Sequence, residues 1–428
     1  MEYLLFIAWL VIFAWLVTKV KFFTQTELSK AQLIIIFLLK IIAGIFYGWI
    51  GIYYGTMAQM QDTWSYHLSS IHEYHLLFSD PQQYLSNLFY DPYHSGVDTI
   101  FASSQSYWND LKGNLFIKIL SVFDIFSLGH YYINIIFYSF ITLFGPLAIY
   151  RVMKDVFPGR KTTILLAIIL VPSFLYWTSG IHKEGLIFTG IGLVVYAMYF
   201  GLKEHRWGGR RILSLLIGLL LLFTLRNFIL FIIIPAMIAW LMAAKKPKYG
   251  LAIFSSLYLL FIVLFFTVRY ISPKLDFPQA VVNKQEAFIN IKGGKSTVDT
   301  RKLEPTVGSF LRNTPQAINL SMLRPNPSDV HHILSLAAAL EMLGLLLLFI
   351  LFLVYRKPDA TSRAIIYFCL FFSFSLLLAI GFSVNNLGAI VRYRSVVIPL
   401  LVVPMIAQTD WKRFEQTFSK YISFKNNV

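Results

Sequence analysis

The chain has 428 residues, of which 57% are hydrophobic, 17% aromatic and only 14% charged. This composition excludes a soluble domain and is typical of a polytopic membrane protein. The formal net charge is +16, but the basic residues form short clusters between apolar runs, which indicates membrane topology rather than nucleic-acid binding. The single cysteine, Cys369, lies in an apolar run, so one chain has no disulfide framework or cysteine-based zinc site.

The apolar runs predict an all-α polytopic membrane protein with about eleven transmembrane helices, because each run is long enough to cross a bilayer as a helix. They cover residues 3–18, 32–55, 131–150, 162–178, 186–202, 212–225, 228–244, 250–268, 333–355, 364–383 and 389–407. The short pair 212–225 and 228–244 is also compatible with tilted or re-entrant helices. We find no internal repeat, so residues 1–428 are expected to form a single membrane domain.

Lysine and arginine clusters occur in alternate connections between these runs, for example at Lys203, Arg206, Arg210 and Arg211. The positive-inside rule predicts that these connections are cytoplasmic. The N-terminus is then outside and the C-terminus in the cytoplasm. Two long polar loops, 56–130 and 269–332, lie together on the outer face.

The first of these loops begins with a polar and aromatic stretch at 59–67. If 62–78 is helical, Asp62 and Tyr66 lie one turn apart on the same side, and His67 follows on a neighbouring face. A carboxylate at such a half-dry surface can act as a general base, because the exclusion of water raises its proton affinity. The alternative is that Asp62 caps the helix. Residues 114–128 are amphipathic and predict a helix lying in the membrane interface.

Four histidines in this loop, His67, His72, His75 and His94, lack the spacing of a helical zinc site. Interfacial hydrogen bonding is the preferred interpretation. A divalent cation remains an open alternative, and no other cofactor is indicated.

Charged residues recur at the outer ends of the later helices: Lys183 and Glu184, then Arg226, then Arg392 and Arg394. Charges at such depth are costly and often functional. Arginine suits paired contacts with phosphoryl oxygens, so these cations predict a pocket for a phosphate or diphosphate. Interfacial anchoring and ion pairing with Glu184 are the alternatives. Arg392 and Arg394 are two residues apart, so one is expected to reach inward while the other extends to the interface.

The loop 269–332 is polar and of mixed charge, and a mobile cover over the site is the hypothesis for it. Its Gly-Gly-Lys-Ser sequence at 293–296 lacks the first glycine and the strand-to-helix context of a phosphate-binding loop. Glu341, in the run that follows, is interpreted as a hydrogen-bonded structural residue, with a proton pathway as the alternative.

The order of these features resembles the GT-C superfamily of polytopic glycosyltransferases, which use polyprenyl-phosphate-linked sugars. The resemblance rests on Asp62-Thr63-Trp64-Ser65-Tyr66, Lys183-Glu184, Leu225-Arg226-Asn227, and Arg392-Tyr393-Arg394 with Pro399 after it. An extra helix precedes the one leading to Asp62, and the paired acidic signature of protein mannosyltransferases is absent. The resemblance therefore gives no support to protein O-mannosylation.

The resemblance implies a sugar transfer on the outer face of a bacterial-type cytoplasmic membrane, from a polyprenyl-phosphate sugar to a glycan, lipid or protein acceptor. Asp62 would be the general base that activates the acceptor hydroxyl. The lipid phosphate would be held by Arg392 or Arg394 together with Lys183 or Arg226. The candidate substrate-binding residues are Tyr66, His67, Glu184 and His331.

Two other functions compete with this one. The O-antigen polymerase and ligase group also has many spans and external arginines, but relies on arginine and histidine rather than a carboxylate of the first loop. A lipid-linked-sugar transporter would instead use Lys40, Glu341 and the arginines along a path through the membrane. Asp62→Asn should abolish activity in a GT-C-like enzyme and spare it in the polymerase and ligase group. Turnover of the donor into free polyprenyl phosphate would exclude the transporter.

Overall fold

The computed structural model describes residues 2–53, 62–91, 107–291, 296–358 and 360–425, and these residues are almost entirely helical. They contain no β-strand, only two isolated bridges. Three parts of the sequence singled out above lie outside the described residues: 59–61, His94 and 293–295.

The helices of eight or more described residues are numbered in chain order, and shorter ones such as Pro81–Ser86 are left unnumbered. The first half consists of α1 (Glu2–Val17), α2 (Lys30–Tyr53), α3 (Asp62–Ser79), α4 (Tyr107–Ser127), α5 (Tyr131–Val156, interrupted at Leu143), α6 (Lys161–Ile169), α7 (Pro172–Ser179) and α8 (Lys183–Lys203). The second half consists of α9 (Gly209–Lys245), α10 (Gly250–Thr267), α11 (Phe277–Ile289), α12 (Val307–Ile318), α13 (Ile333–Val354), α14 (Arg363–Ser383), α15 (Leu387–Ser395), α16 (Ile398–Ala407) and α17 (Trp411–Lys425).

Within the described ranges, seven helices are long and apolar enough to cross a membrane: α2, α5, α8, α9, α10, α13 and α14. Two further pairs are bent, α6 with α7 by 62° and α15 with α16 by 60°, and counting each pair as one span gives up to nine. The all-helical class and the presence of several apolar helices of membrane-spanning length are thereby confirmed, while the number of about eleven stays a prediction. Prolines at the first turn of α7 and of α16 account for the two breaks, because proline cannot continue a preceding helix.

Helix α9 joins the two predicted runs 212–225 and 228–244 into one element, with a break in helical geometry at Arg226 (φ −152°, ψ 81°). Its first turn lies beside the end of α8, where Arg211 pairs with Glu204. Its last turns pack against the start of α14, where the rings of Trp240 and Phe368 are 4.8 Å apart. Both ends of α9 therefore lie at one end of the bundle, and Arg226 marks the other. We call these the Arg363 end, after the first residue of α14, and the Arg226 end.

The two long helices of the first loop, α3 and α4, are packed into the bundle. Helix α4 contains the predicted interfacial segment 114–128, and its Phe116 and Leu120 are fully buried. The buried carboxylate of Asp124 accepts hydrogen bonds from Ser70 Oγ (2.7 Å) and Asn134 Nδ2 (2.6 Å). These bonds fix α3 against α4 and α5, and so fix the position of Asp62 at the start of α3.

The described parts of 269–332 contain α11 and α12, which enclose a small apolar cluster of Val282, Leu303 and Phe310. Two backbone hydrogen bonds of 2.9 Å attach the segment after α11 to the start of α15: Val298 N–H to Asn385 O, and Leu387 N–H to Ser296 O. The loop is thus folded against the Arg226 end. Its role as a mobile cover stays a prediction.

Helices α5 and α8 meet through glycines, since a Cβ on Gly192 would lie 2.6 Å from the carbonyl oxygen of Gly145. We expect Gly192→Ala to destabilise the protein by about 1–3 kcal/mol, because the contact is to backbone that cannot rotate away. Thermal unfolding in detergent measures the effect. Gly344→Ala is the matched control, because no atom lies within 4 Å of a Cβ there. An equal loss of stability in both variants would contradict this packing.

Candidate active site at the Arg226 end

Five charged or titratable side chains from four separate segments converge at the Arg226 end: Asp62, His182, Glu184, Arg226 and Arg392. Asp62 is the first residue of α3, and Glu184 lies in the first turn of α8. Arg226 stands at the break in α9, and Arg392 on α15. Each therefore belongs to a helix terminus, a helix break or a short helix, where the chain turns at the end of the bundle.

Arg392 connects the two halves of the site. Its Nη1 donates a 2.8 Å hydrogen bond to Asp62 Oδ2, and it also lies 3.2 Å from His182 Nε2. His182 Nε2 is 3.5 Å from the same Asp62 oxygen. A neutral His182 accepts from Arg392 at this nitrogen, whereas a protonated one donates toward Asp62. The protonation state of His182 therefore determines whether its Nε2 accepts a hydrogen bond from Arg392 or donates one to Asp62.

Glu184 is fully buried and is the other anchor of the site. Its carboxylate accepts hydrogen bonds from His182 Nδ1 and Arg226 Nη2, and Oε1 lies 3.7 Å from Arg392 Nε. Tyr393 lies beside both arginines: its ring centroid is 3.8 Å from Arg226 Cζ and 5.0 Å from Arg392 Cζ. One buried carboxylate and one aromatic ring thus hold both guanidinium groups in place.

Three lysines surround this core and form no ion pair in the part of the chain that the structure describes. Lys112 Nζ donates to Asn227 Oδ1 (3.1 Å). Lys183 lies over the ring of Tyr66 (5.1 Å), and Lys284 over the ring of Phe288 (5.3 Å). With the two arginines, they make five basic side chains against the carboxylates of Asp62 and Glu184. The excess of positive charge suits an anionic ligand.

The surroundings shift the proton affinities of the groups outside the membrane spans. Burial, together with the charges of Lys284, Lys183 and Arg226, lowers the pKa of Lys112 to about 7. Burial also lowers the pKa of Lys284. Burial alone would raise the pKa of Asp62, but His182 and Arg392 outweigh it and hold that pKa well below its usual range. Asp62 is therefore an ionised, weakly basic carboxylate while Arg392 is bound to it.

Of the other residues proposed from the sequence, Tyr66 faces the site, with its ring 5.9 Å from that of His182. His67 instead packs against the rings of Trp64 (5.7 Å) and Tyr131 (5.2 Å). His67 thus lies in the interface between α3 and α5 and not in the charged cluster.

Arg394 is buried and donates to the carbonyl oxygens of Ser321 (3.4 Å) and Arg324. It points away from Arg392 because residues two apart on a helix project to nearly opposite sides. His331 is exposed before α13, where its backbone N–H donates to Ser335 Oγ (2.9 Å). Neither residue belongs to the cluster around Asp62.

The sequence interpretation assigned no role to His182, Lys112, Lys284 or Tyr393. His182 and Tyr393 are direct neighbours of selected residues, which was the only signal for them. Lys112 and Lys284 lie in the two loops, and no linear pattern relates them to each other. Only the fold brings them to one place.

No family model, curated protein or solved structure matches this chain. Within the described residues, no group of three or more His, Cys, Asp and Glu side chains is arranged to hold a metal ion.

Lys40 is buried and Glu341 is partly buried, and both residues of the transporter alternative have hydrogen-bond partners. Lys40 Nζ donates to Thr178 O (3.1 Å) and Ser179 Oγ (3.3 Å) at the end of α7. Glu341 accepts from the backbone N–H and the hydroxyl of Ser173, both at 2.6 Å. These contacts join α2 to α7 and α13 to α7, as the structural interpretation of Glu341 expects.

Proposed function

We propose that this protein is an integral-membrane glycosyltransferase that moves a sugar from a polyprenyl-phosphate donor to a cell-envelope glycan, lipid or protein acceptor. The reaction takes place at the Arg226 end, on the outer face of the cytoplasmic membrane. The observation that carries the proposal is the contact between Asp62 and Arg392 inside a cluster with surplus positive charge. A carboxylate and phosphate-binding cations are the two parts that such a transfer needs.

The donor phosphate binds between Arg392, Arg226 and Lys183, with Lys112 and Lys284 completing the cationic wall. Arginine forms paired hydrogen bonds with phosphoryl oxygens, and lysine adds a point charge. The apolar helices around the site keep the polyprenyl chain in the lipid phase. The same cations stabilise the negative charge that the phosphate gains as the bond to the sugar breaks.

Donor binding also prepares the base. Once the phosphate accepts hydrogen bonds from Arg392, Asp62 loses one of the two neighbours that hold its pKa down, the other being His182, and its proton affinity rises. Asp62 then takes the proton of the acceptor hydroxyl as that oxygen bonds to the anomeric carbon. The bond from this carbon to the phosphate oxygen breaks, and polyprenyl phosphate leaves. Base activation is thus coupled to occupation of the donor site.

A second candidate function rests on the 3.2 Å contact between Arg392 and His182. Arginine with histidine, and no essential carboxylate, is the arrangement of the O-antigen polymerase and ligase group. In that mechanism Asp62 only pairs with Arg392 in the resting protein. Asp62→Asn distinguishes the two functions, because it should abolish turnover in the first and leave it unchanged in the second.

The direct experiment measures free polyprenyl phosphate or diphosphate released by the purified protein from a short panel of polyprenyl-phosphate and polyprenyl-diphosphate sugars. The proposal expects release from a monophosphate donor that depends on an added acceptor. Release from diphosphate donors alone would favour the polymerase and ligase function. Transport of donors across vesicles without any release would overturn the enzyme proposal.

Affinity for the donor should depend on pH through Lys112. Because its pKa is lowered to about 7, Lys112 is charged below that pH and becomes neutral above it. The donor is a phosphodiester whose own charge is constant over this range, so its affinity should fall about tenfold from pH 6 to pH 8. Donor titration of the purified protein at several pH values measures this effect.

Lys112→Met should remove most of this dependence and bind the donor weakly at both pH values. Lys302→Met is the matched control, because Lys302 is exposed in the second loop and its loss changes the net charge equally. A wild-type affinity that is constant between pH 6 and pH 8 would contradict the assignment of Lys112.

A further inference from the structure

A cavity of about 490 Å³ lies at the Arg363 end, opposite the candidate active site. Its polar wall is made by Arg356, Arg363 and Gln408, and its apolar wall includes Ile366 and Tyr367 of α14. No residue of this cavity takes part in the proposed sugar transfer.

Backbone hydrogen bonds build the walls of this cavity. The segment after α13 is bound to the segment after α16 through Lys357 N–H to Gln408 O (2.7 Å) and Asp410 N–H to Tyr355 O (2.8 Å). An isolated antiparallel bridge between Arg356 and Thr409 lies between these two bonds. These bonds fix the backbone at Arg356, whose side chain, like that of Arg363, is exposed at the mouth of the cavity.

The cavity offers donors for an anion. Neither Arg356 nor Arg363 forms an ion pair within the described residues, which do not include Asp359. Arg363 opens α14, a helix of 21 residues, and the side chain of Ser362 makes no capping hydrogen bond there. The N–H groups of this first turn have no partner within the helix, and they lie beside Arg363 at the positive end of the helix dipole.

The surroundings favour a lipid as the source of that anion. Helices α10 and α13 are the least buried of the span-length helices, with only 6% of the apolar window of each inside the protein. In the last turn of α13, just before Arg356, Leu353 is 57% and Val354 59% exposed. A phosphate bound by the arginines would therefore have acyl chains beside an apolar helix surface that no part of the described protein covers.

We propose that this cavity is a binding site for the phosphate of an anionic phospholipid headgroup. Arg356 and Arg363 bind the phosphate oxygens, the first turn of α14 adds backbone donors, and the glycerol lies along Ile366 and Tyr367. The site is independent of the proposed glycosyl transfer, and its test does not use activity.

The test compares the full-length protein in nanodiscs of phosphatidylcholine and in nanodiscs that also contain phosphatidylglycerol. We expect the anionic lipid to raise the melting temperature of the wild type. Arg356→Gln with Arg363→Gln should abolish most of that rise while leaving the melting temperature in phosphatidylcholine unchanged. Native mass spectrometry should show about a tenfold weaker apparent affinity for phosphatidylglycerol, since each lost contact is a charge-assisted hydrogen bond.

Arg210→Gln with Lys246→Gln is the matched control, because both residues are exposed near the same end of the bundle and the charge change is equal. A stabilisation by phosphatidylglycerol that survives the cavity variant, or falls equally in the control, would overturn the site. A second melting experiment adds inorganic phosphate in place of phosphatidylglycerol, to distinguish a soluble anion from a lipid headgroup. If phosphate in phosphatidylcholine nanodiscs reproduces the whole stabilisation, the ligand is a soluble anion and the lipid assignment is wrong.

Discussion

Asp62→Asn should lower kcat by about 10²–10⁴-fold, the usual contribution of a general base. The amide keeps the size and the polar contacts of the carboxylate but cannot take the acceptor proton. Asparagine also serves well at a helix start, so α3 is retained. Steady-state release of polyprenyl phosphate from the donor that the wild type accepts measures the effect.

Donor affinity should move in the opposite direction in this variant. Asp62 competes with the donor phosphate for Arg392, to which it is bound at 2.8 Å. Removing the negative charge should therefore leave the dissociation constant unchanged or lower it. A purely structural role would instead weaken binding and turnover together, which would contradict the assignment of a base.

The matched control is Asp80→Asn, which makes the same chemical change in the same loop. Asp80 caps a short helix by accepting from Gln83 N–H (2.9 Å), a contact that asparagine can also make. Wild-type turnover is expected there. A fully active Asp62→Asn would move the chemistry to Arg392 and His182 and favour the polymerase and ligase function.

The pH profile of the wild type gives an independent test of base activation. In the free protein the pKa of Asp62 lies well below its usual range, so kcat/KM should not show an acid limb from Asp62 near pH 4. In the donor complex Arg392 is occupied by phosphate, and the acid limb of kcat should move to higher pH. Identical acid limbs in both profiles would contradict the proposed release of Asp62.

Glu184→Gln should have the largest effect on stability, a loss of about 3–5 kcal/mol. The carboxylate is fully buried and is bonded to His182 and Arg226. Neutralising it leaves two arginines crowded without their buried counter-charge. Thermal or denaturant unfolding of the purified protein in detergent measures the loss.

Two comparisons make this prediction specific. Glu27→Gln is the surface counterpart, because Glu27 also pairs with two cations, Lys154 (3.0 Å) and Lys161 (2.6 Å), but is 60% exposed. Its loss should leave the unfolding midpoint nearly unchanged, because solvent screens an exposed ion pair. The double variant Glu184→Gln with Arg226→Gln should regain part of the stability, since one unpaired charge is removed. Equal costs at Glu184 and Glu27 would show that Glu184 is not the electrostatic anchor of the site.

Much of the architecture was predictable because hydropathy is a local property. Apolar runs of about 20 residues predict spanning helices wherever they fold, and the described helices begin and end within a few residues of most of them. The exceptions are the pair 212–225 and 228–244, which α9 joins, and the two bent spans 162–178 and 389–407. In the bent spans, proline in the first turn ends one helix and starts another at an angle, which composition averaged over a window does not register.

The charged residues Asp62, Glu184, Arg226 and Arg392 were also selected from sequence alone. Each is an ionisable residue at the end of a predicted apolar span, where a buried charge is costly. Such a residue can be recognised from its own position in the sequence. The sequence thus determined the all-helical class, the helices of membrane-spanning length and these four candidates of the site.

Only the tertiary structure decided which residues meet. Asp62 and Arg392 are 330 positions apart, and nothing local encodes their hydrogen bond. The fold sends Arg392 into the site and Arg394 away from it, and it brings His182 between Asp62 and Glu184. Side-chain direction depends on how each helix is rotated against its neighbours, a property of packing that single-chain patterns do not contain.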